Sequence, residues 1–363
     1  MMTIFKDKQL RSIAEKVEAG ERLGYEDGLA LEASADLLGL GAMANTVRER
    51  INGDNAYYIV NRHINHTNVC VNTCRFCAFS RKEEDQDAYT MELDNVMEQA
   101  AKSKGERFSE FHIVGGLHPT MPYDYYVEMI GRLRLEYPHI HLQAFTAVEI
   151  AYFAQISGKS VPQVLAELKE AGLGSLPGGG AEIFAERVRK KICPEKIDAE
   201  EWLAVHGAAH EAGLNTNATM LYGHIETPED RIDHLIRLRE QQDRTGGFLT
   251  FIPLAFHPQN TRYEKIAKAS GIMDLKMIAI ARLMLDNFPH IKAFWIMIGE
   301  KMAQLSLSFG ADDVDGTVVE EKITHAAGAV TAQEIAQERL VRLIEEAGRV
   351  PVERDTVYNV VGA

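Results

Sequence analysis

A chain of 363 residues that is 46% hydrophobic and 25% charged can bury a full core, as one large barrel with extensions or as two smaller domains. Its formal net charge of −14 argues against general binding to nucleic acid or to an anionic membrane, so an anionic substrate would need a local patch of Arg, His and backbone N–H groups. No apolar run is long enough to span a bilayer, the charged start MMTIFKDKQLRSIAEKVEAG lacks a signal-peptide core, and clustered free thiols favour a reducing, cytoplasmic setting.

Residues 5–53 read as a helical lead, with Leu10, Ile13, Ala14 and Val17 at helical spacing. Residues 57–66, YYIVNRHINH, read as the first strand. Asn61, His63, Asn65 and Thr67 alternate onto one of its faces. The outer face of a barrel strand meets apolar helices, so this polar set is expected in the lumen. Next comes the loop Cys70-Val71-Asn72-Thr73-Cys74-Arg75-Phe76-Cys77. Further strands are expected at 109–114, 139–145, 173–178, 216–222, 248–254 and 291–297, with helices at 122–136, 181–191, 198–212, 228–243 and 274–287. This rhythm implies βαβ units and a parallel sheet. An eighth element near 311–318 would complete a (β/α)8 TIM-type barrel; a partial six-stranded barrel is the alternative. Residues 54–349 would form the barrel, 1–53 a helical extension and 350–363 a tail packed on it.

Three of the four cysteines fall within eight positions, a spacing that needs a chemical reason. Thiolates are soft ligands. Three on one loop can hold three irons of a cubane [4Fe–4S] cluster and leave the fourth iron open. A zinc site completed by His66, as in a zinc-stabilised binding protein, and a disulfide-forming redox sensor are the alternatives. Cys193 has no thiol neighbour in sequence and reads as a small buried hydrophobe.

Barrel enzymes place their chemistry at the C-terminal ends of strands, where this chain carries its distinctive loops. These are Gly115-Gly116-Leu117-His118-Pro119, Pro177-Gly178-Gly179-Gly180-Ala181-Glu182, Gly223-His224-Ile225-Glu226 and Phe256-His257-Pro258. Glycines allow ligand atoms close to the backbone, and a glycine turn entering a helix can seat a carboxylate. Asn217 and Thr219 on the fifth strand are further lumen candidates.

The C-x3-C-x2-C spacing, with an aromatic before the last cysteine, resembles the radical S-adenosylmethionine (SAM) enzymes. That resemblance implies a [4Fe–4S] cluster on Cys70, Cys74 and Cys77, SAM on the open iron, and reductive cleavage to a 5′-deoxyadenosyl radical. Over roughly residues 20–360 the segments NRHINHTNVCVNTCRFCAFSR, HIVGGLHPTMPYDYY, LQAFTAVEI, SLPGGGAEIFAERVR, NATMLYGHIETPEDRIDHL, FIPLAFHPQNT and RVPVERDTVYN resemble the aminodeoxyfutalosine synthases of the futalosine route to menaquinone. The related cyclic dehypoxanthinyl futalosine synthases typically read Ser-Pro-Pro-Glu at 146–149 and Trp-Thr-Phe-Gln-Pro at 254–258, and the deazaflavin-cofactor synthases match less well. The resemblance implies addition of the adenosyl radical to 3-[(1-carboxyvinyl)oxy]benzoate, aryl migration and decarboxylation. It also implies an electron donor such as flavodoxin or ferredoxin, and neither nucleic acid nor membrane as partner. It suggests Phe76, Gly115, Gly116, Glu182 and Arg187 for SAM. Leu117-His118 stands where many relatives carry a Glu against the SAM amino group. Asn217, His224, His257 and Arg282 are the candidates for the substrate.

Overall fold

The computed structural model of the protein describes residues 5–103 and 105–362. Among the described residues ten strands are formed: β1 (Asn55–Ile59), β2 (Asn61–Ile64), β3 (Glu110–Ile113), β4 (His141–Ala144), β5 (Ser175–Leu176), β6 (Asn215–Tyr222), β7 (Phe248–Ala255), β8 (His290–Ile291), β9 (Asp313–Gly316) and β10 (Val350–Glu353). Strands β2 to β8 make one seven-stranded parallel sheet in chain order, and β10-β1-β9 a second, three-stranded one. Every strand-to-strand step within the large sheet crosses over through helix, which is what parallel pairing requires. Helices cover the outer face, and outward strand residues such as Phe111, Ile113, Leu142 and Phe251 are buried beneath them.

The gap between β8 and β2 is spanned by residues 312–319. Ala293 N–H donates to Asp313 O (2.8 Å), Asp312 N–H to Ile291 O (3.1 Å) and His63 N–H to Val319 O (3.0 Å). The eighth element expected near 311–318 is therefore β9, and the fold is a curled α/β barrel rather than the six-stranded alternative.

Three expectations change. Residues 57–66 do not form one strand: the chain breaks at Val60, β1 joining the small sheet and β2 the large one. In 291–297 only Ile291 stays in a strand, and Trp295–Ile298 is a helical turn. On the β9 side Asp315 has φ 68°, and Trp295 Nε1 donates to Gly316 O at 2.8 Å. Beyond Lys292 the chain leaves the sheet, and residues 294–299 satisfy their backbone internally, as in Gly299 N–H to Trp295 O at 2.7 Å. Finally, the helix expected from 181 begins at Glu186. Residues 182 and 184 bond sideways instead, Leu221 N–H donating to Glu182 O (2.7 Å) and Phe184 N–H to His234 Nδ1 (3.2 Å).

The lead folds as helices Gln9–Ala19, Tyr25–Ala33 and Leu37–Asn52, and Leu10, Ile13, Ala14 and Val17 form their buried stripe. The end of the chain pairs β10 in parallel with β1. Buried Asp313 receives Arg354 Nε at 2.5 Å and Tyr358 Oη at 2.7 Å. Burial would raise the Asp313 carboxyl, but the Arg354 and Lys292 charges and these bonds hold it below the usual range.

Candidate active site

The C-terminal ends of the barrel strands open into a cavity of about 350 Å³. Cys70, Cys74 and Cys77 share its wall with Phe76, Gly115 and Gly116. The cysteine loop is fixed by backbone bonds on several sides: Val71 N–H to Leu117 O (2.9 Å), Arg75 N–H to Ile192 O (2.7 Å) and Arg262 N–H to Arg75 O (2.9 Å). Two thiols already accept weak bonds, Cys70 Sγ from Leu117 N–H and Cys77 Sγ from Ser80 N–H, both at 3.4 Å. Gly116 is the hinge of this packing. A Cβ there would stand 2.1 Å from Val69 O and 3.1 Å from Cys70 Cβ, so only glycine lets the two loops touch.

Burial pushes the Cys70 and Cys74 thiols up, so a cationic centre is needed to draw out thiolates here. Three soft donors from one loop on one cavity wall fit the three-iron ligation of a cubane cluster. A Cys3His zinc site does not fit. His66 is not on the cavity wall; it packs behind Gly115 among Tyr125, Tyr126 and Phe145, and burial lowers it to about 4. Among the described residues no three His, Cys, Asp or Glu side chains converge on a single ion. The cysteines are free thiols, Cys193 being buried.

Glu182 and Phe76 flank the cysteines, joined by Lys196. Lys196 Nζ lies 2.6 Å from Glu182 Oε1 and 5.2 Å above the Phe76 ring. Burial would lower this lysine, but the Glu182 carboxylate and the nearby thiols raise it. Beside Gly115 stands Glu149, the N3 residue of the capping box that starts helix Ala147–Ser157. Its Oε2 accepts from Thr146 N–H (2.7 Å) and Thr146 Oγ1 (2.8 Å), and its Oε1 from Gly115 N–H (3.1 Å). Burial outweighs these bonds and raises Glu149 to about 7.

The barrel lumen forms the floor of the cavity. His63 and His112, paired in register, stack with ring centroids 4.6 Å apart. His112 Nδ1 is 3.0 Å from Gln143 Oε1, and Glu110 Oε1 accepts from Asn61 Nδ2 at 3.3 Å. Burial alone would raise Glu110, but the His112 side chain and the Lys292 charge hold it far below the carboxylate range. Lys292 Nζ donates to Asp315 Oδ1 at 2.8 Å. The polar set expected on the first strand divides here. Asn61 and His63 face the cavity, whereas Asn65 and Thr67 do not line it. Strand β2 ends at Ile64, so alternation no longer governs them, and they tie loops through Val114 O and Tyr89 O.

Of the remaining candidates, Asn217 and His257 line the cavity. His257 Nε2 donates to Met297 O (2.8 Å), and its Nδ1 is buried without a partner. Thr219 Oγ1 donates to Gly178 O at 2.6 Å. Gly178 allows this, because a Cβ on it would meet Asn217 O at 2.7 Å. Three candidates stand elsewhere. Arg282 is fully buried against Asp312, Gly310 O and Phe288 O, tying the helix Gly271–Met284 to the approach to β9. His224 folds onto its own loop, with Nε2 to Leu221 O at 3.0 Å and Nδ1 accepting from Ile225 N–H at 2.7 Å. Arg187 pairs with Asp230 and is half exposed. Sequence reasoning missed Lys196, Lys292, Glu110, His112 and Gln143. Lys292 carried a signal, a lone lysine within the apolar run IKAFWIM, and Glu110 and His112 fall at alternate positions of an expected strand.

A model of the radical SAM superfamily matches residues 64–238, and a model of the CofH/MqnC C-terminal region matches residues 245–362. The chain is 47% identical over 360 residues to an aminodeoxyfutalosine synthase of Thermus thermophilus, covering 98% of this chain and 97% of that one. It is 48% identical over 362 residues to an aminodeoxyfutalosine synthase of Streptomyces coelicolor, with coverage of 97% and 94%. It is 42% identical over 358 residues to a 5-amino-6-(D-ribitylamino)uracil–L-tyrosine 4-hydroxyphenyl transferase of Methanopyrus kandleri, covering 96% and 97%. The crystal structure of methylornithine synthase superposes with a TM-score of 0.74 at 19% identity, over 93% of this chain and 96% of that one, which shows a shared fold. Among the described residues no helix is long and apolar enough to cross a membrane.

Proposed function

The chain belongs to the radical SAM superfamily, in the family of the aminodeoxyfutalosine synthases, and from that premise we propose that it joins the 5′-deoxyadenosyl group of SAM to 3-[(1-carboxyvinyl)oxy]benzoate. Aryl migration from oxygen to carbon and loss of the acrylate carboxylate then give 6-amino-6-deoxyfutalosine, with methionine and carbon dioxide or bicarbonate released. One observation carries this reading. The two segments whose sequence separates it from the cyclic dehypoxanthinyl futalosine synthases, 146–149 and 254–258, contribute the differing residues Thr146, Val148, Leu254, Ala255 and His257 to the same cavity as the three cysteines.

Cys70, Cys74 and Cys77 would hold the cluster. When bound and reduced by a donor such as flavodoxin or ferredoxin, the cluster supplies the electron that cleaves SAM and frees the adenosyl radical. The chain orients and encloses. Gly115 and Gly116 bring backbone close beside the cysteines, and Glu149, fixed by Gly115 N–H, offers the acidic partner for an amino group that Leu117-His118 lack. Glu182 and Lys196 present one charge of each sign next to Phe76, suited to a ribose hydroxyl and a carboxylate. Asn217 and His257 face the substrate end. With Nε2–H given to Met297 O, His257 donates to a substrate carboxylate only when protonated, a form that such a carboxylate favours. The apolar wall of Val148, Leu254, Phe256 and Phe294 excludes water from the reacting carbon.

Cluster-loaded, reduced protein is incubated with ribose-labelled SAM and the enol ether, and products are read by mass spectrometry. Labelled aminodeoxyfutalosine is the expected result. Label only in 5′-deoxyadenosine, with dehypoxanthinyl futalosine cyclised, assigns the related activity instead. A parallel arm with 5-amino-6-(D-ribitylamino)uracil and L-tyrosine should give no adduct.

A further inference from the structure

Among the described residues lining the cavity, the ammonium groups are those of Lys196 and Lys292. They face different tasks. Lys196 stands at the cysteine end, paired with Glu182 over the Phe76 ring, on the side proposed above for SAM. Lys292 follows β8 on the lumen floor, is 7% exposed, and its ammonium makes one hydrogen bond, to Asp315. Among the described residues no other group takes its remaining two N–H groups, and the residue lines the cavity.

Its neighbourhood is built. Asp315 is a non-glycine residue at φ 68°, a rarely adopted conformation, held by its own N–H to Asp313 Oδ1 at 2.6 Å. Backbone distortion of this kind persists where surrounding structure fixes it, and it concentrates at functional sites. His63, 9% exposed, lines the same floor with a buried Nε2 that has no partner. Of the carboxylates nearby, Asp315 accepts from Lys292, and Glu110 accepts from Asn61 Nδ2 and lies 3.8 Å from His112 Nδ1.

We propose that Lys292, with His63 beside it, seats the aryl carboxylate of the substrate on the lumen floor and selects a benzoate over an uncharged ring. This rests on the function proposed above and deepens it. The enol ether carries two carboxylates. The acrylate one is bonded to the carbon next to the reacting CH2, so it stays with the vinyl group at the cysteine end. The aryl carboxylate, meta to the ether oxygen, is held off from the vinyl group by the ring and reaches the lumen, where Lys292 offers two donors to its two oxygens. The carboxylate also supplies the charge that lets His63 accept a proton and become a second donor.

The test uses cluster-loaded protein and two unreactive probes, 3-methoxybenzoate and 3-methoxybenzamide, read by calorimetry, so it does not depend on turnover. The wild type should bind the acid about 30- to 100-fold more tightly than the amide, the range expected of a charge-assisted bond. Lys292→Gln should bring that ratio close to unity while SAM affinity and iron content stay unchanged, and Lys292→Arg should keep a clear preference for the acid. If Lys292→Gln loads no iron, His63→Gln carries the test through the same ratio, which should fall about tenfold. An unchanged ratio in a loaded variant, or equal weakening for acid and amide, overturns the assignment. Absence of enol-ether turnover in a wild type that still shows the Lys292-dependent ratio overturns the proposed reaction and not the seat.

Discussion

Gly116→Ala is the smallest change that should empty the site. The new methyl carbon would stand 2.1 Å from the Val69 carbonyl oxygen, against roughly 3.5–4.0 Å for ordinary contact. The shortfall of about 1.4 Å cannot be absorbed by a rotamer, because the obstacle is backbone. Val69 adjoins the ligand Cys70, and the same two strands of chain are joined by Val71 N–H to Leu117 O and Gly116 N–H to Thr67 O, both 2.9 Å. Relieving the clash therefore moves Cys70 relative to Cys74 and Cys77. Metal sites tolerate displacements of only about 0.5 Å, so cluster assembly should fail while the barrel still folds. Overpacking costs about 1–3 kcal/mol, and the rigidity of the obstacle argues for the upper end, a fall in Tm of about 5 °C. Iron and sulfide would be assayed after anaerobic reconstitution, with circular dichroism melting in parallel. A full cluster complement at an unchanged Tm would refute this account of the loop contact.

Cys70→Ala, Cys74→Ala and Cys77→Ala should each abolish cluster loading and turnover, whereas buried Cys193→Ala should keep both at a stability cost of about 1 kcal/mol; iron analysis separates the two outcomes. Glu149 titrates at about 7 in the folded chain against an ordinary value of 4.5. The native carboxyl thus keeps a proton that the unfolded chain has lost, so stability falls as pH rises from about 4.5 to about 7 and then levels. Glu149→Gln should flatten that slope in a Tm-against-pH series, and an identical slope would show that the carboxyl does not titrate there. Gly131 lies within the helix Tyr123–Glu136 and a Cβ on it would meet nothing within 4 Å. Gly131→Ala should raise stability by roughly 0.5–1 kcal/mol in chemical denaturation, with no effect on cluster content.

The sequence by itself determined the chemistry and the rhythm. Three cysteines on one loop need no tertiary contact to be read as a ligand set, because their spacing holds the donors together whatever the rest of the chain does. Hydrophobic runs separated by amphipathic helices placed β3, β4, β6 and β7 within a residue or two, since such runs can be buried only as central parallel strands. The glycine loops were legible for the same local reason. What the tertiary structure decided is everything set by a neighbour. Val60 splits one apparent strand because β1 and β2 find partners in different sheets. Residues 294–298 curl into a helical turn that closes its own backbone bonds and sets Trp295 Nε1 on Gly316 O. Arg282 and His224 looked like cations for an anionic substrate, yet each finds local oxygen partners: Arg282 carbonyls and the Asp312 carboxylate, His224 the Leu221 carbonyl. A buried polar group takes the nearest partner that lowers its desolvation cost, as the Arg282 guanidinium and the neutral His224 imidazole both do, and sequence does not say which partner is nearest. By the same rule Lys292, hidden in an apolar run, reaches the lumen floor with donors left over. Only the closure of the barrel brings it there, and among the described residues no other group takes those donors.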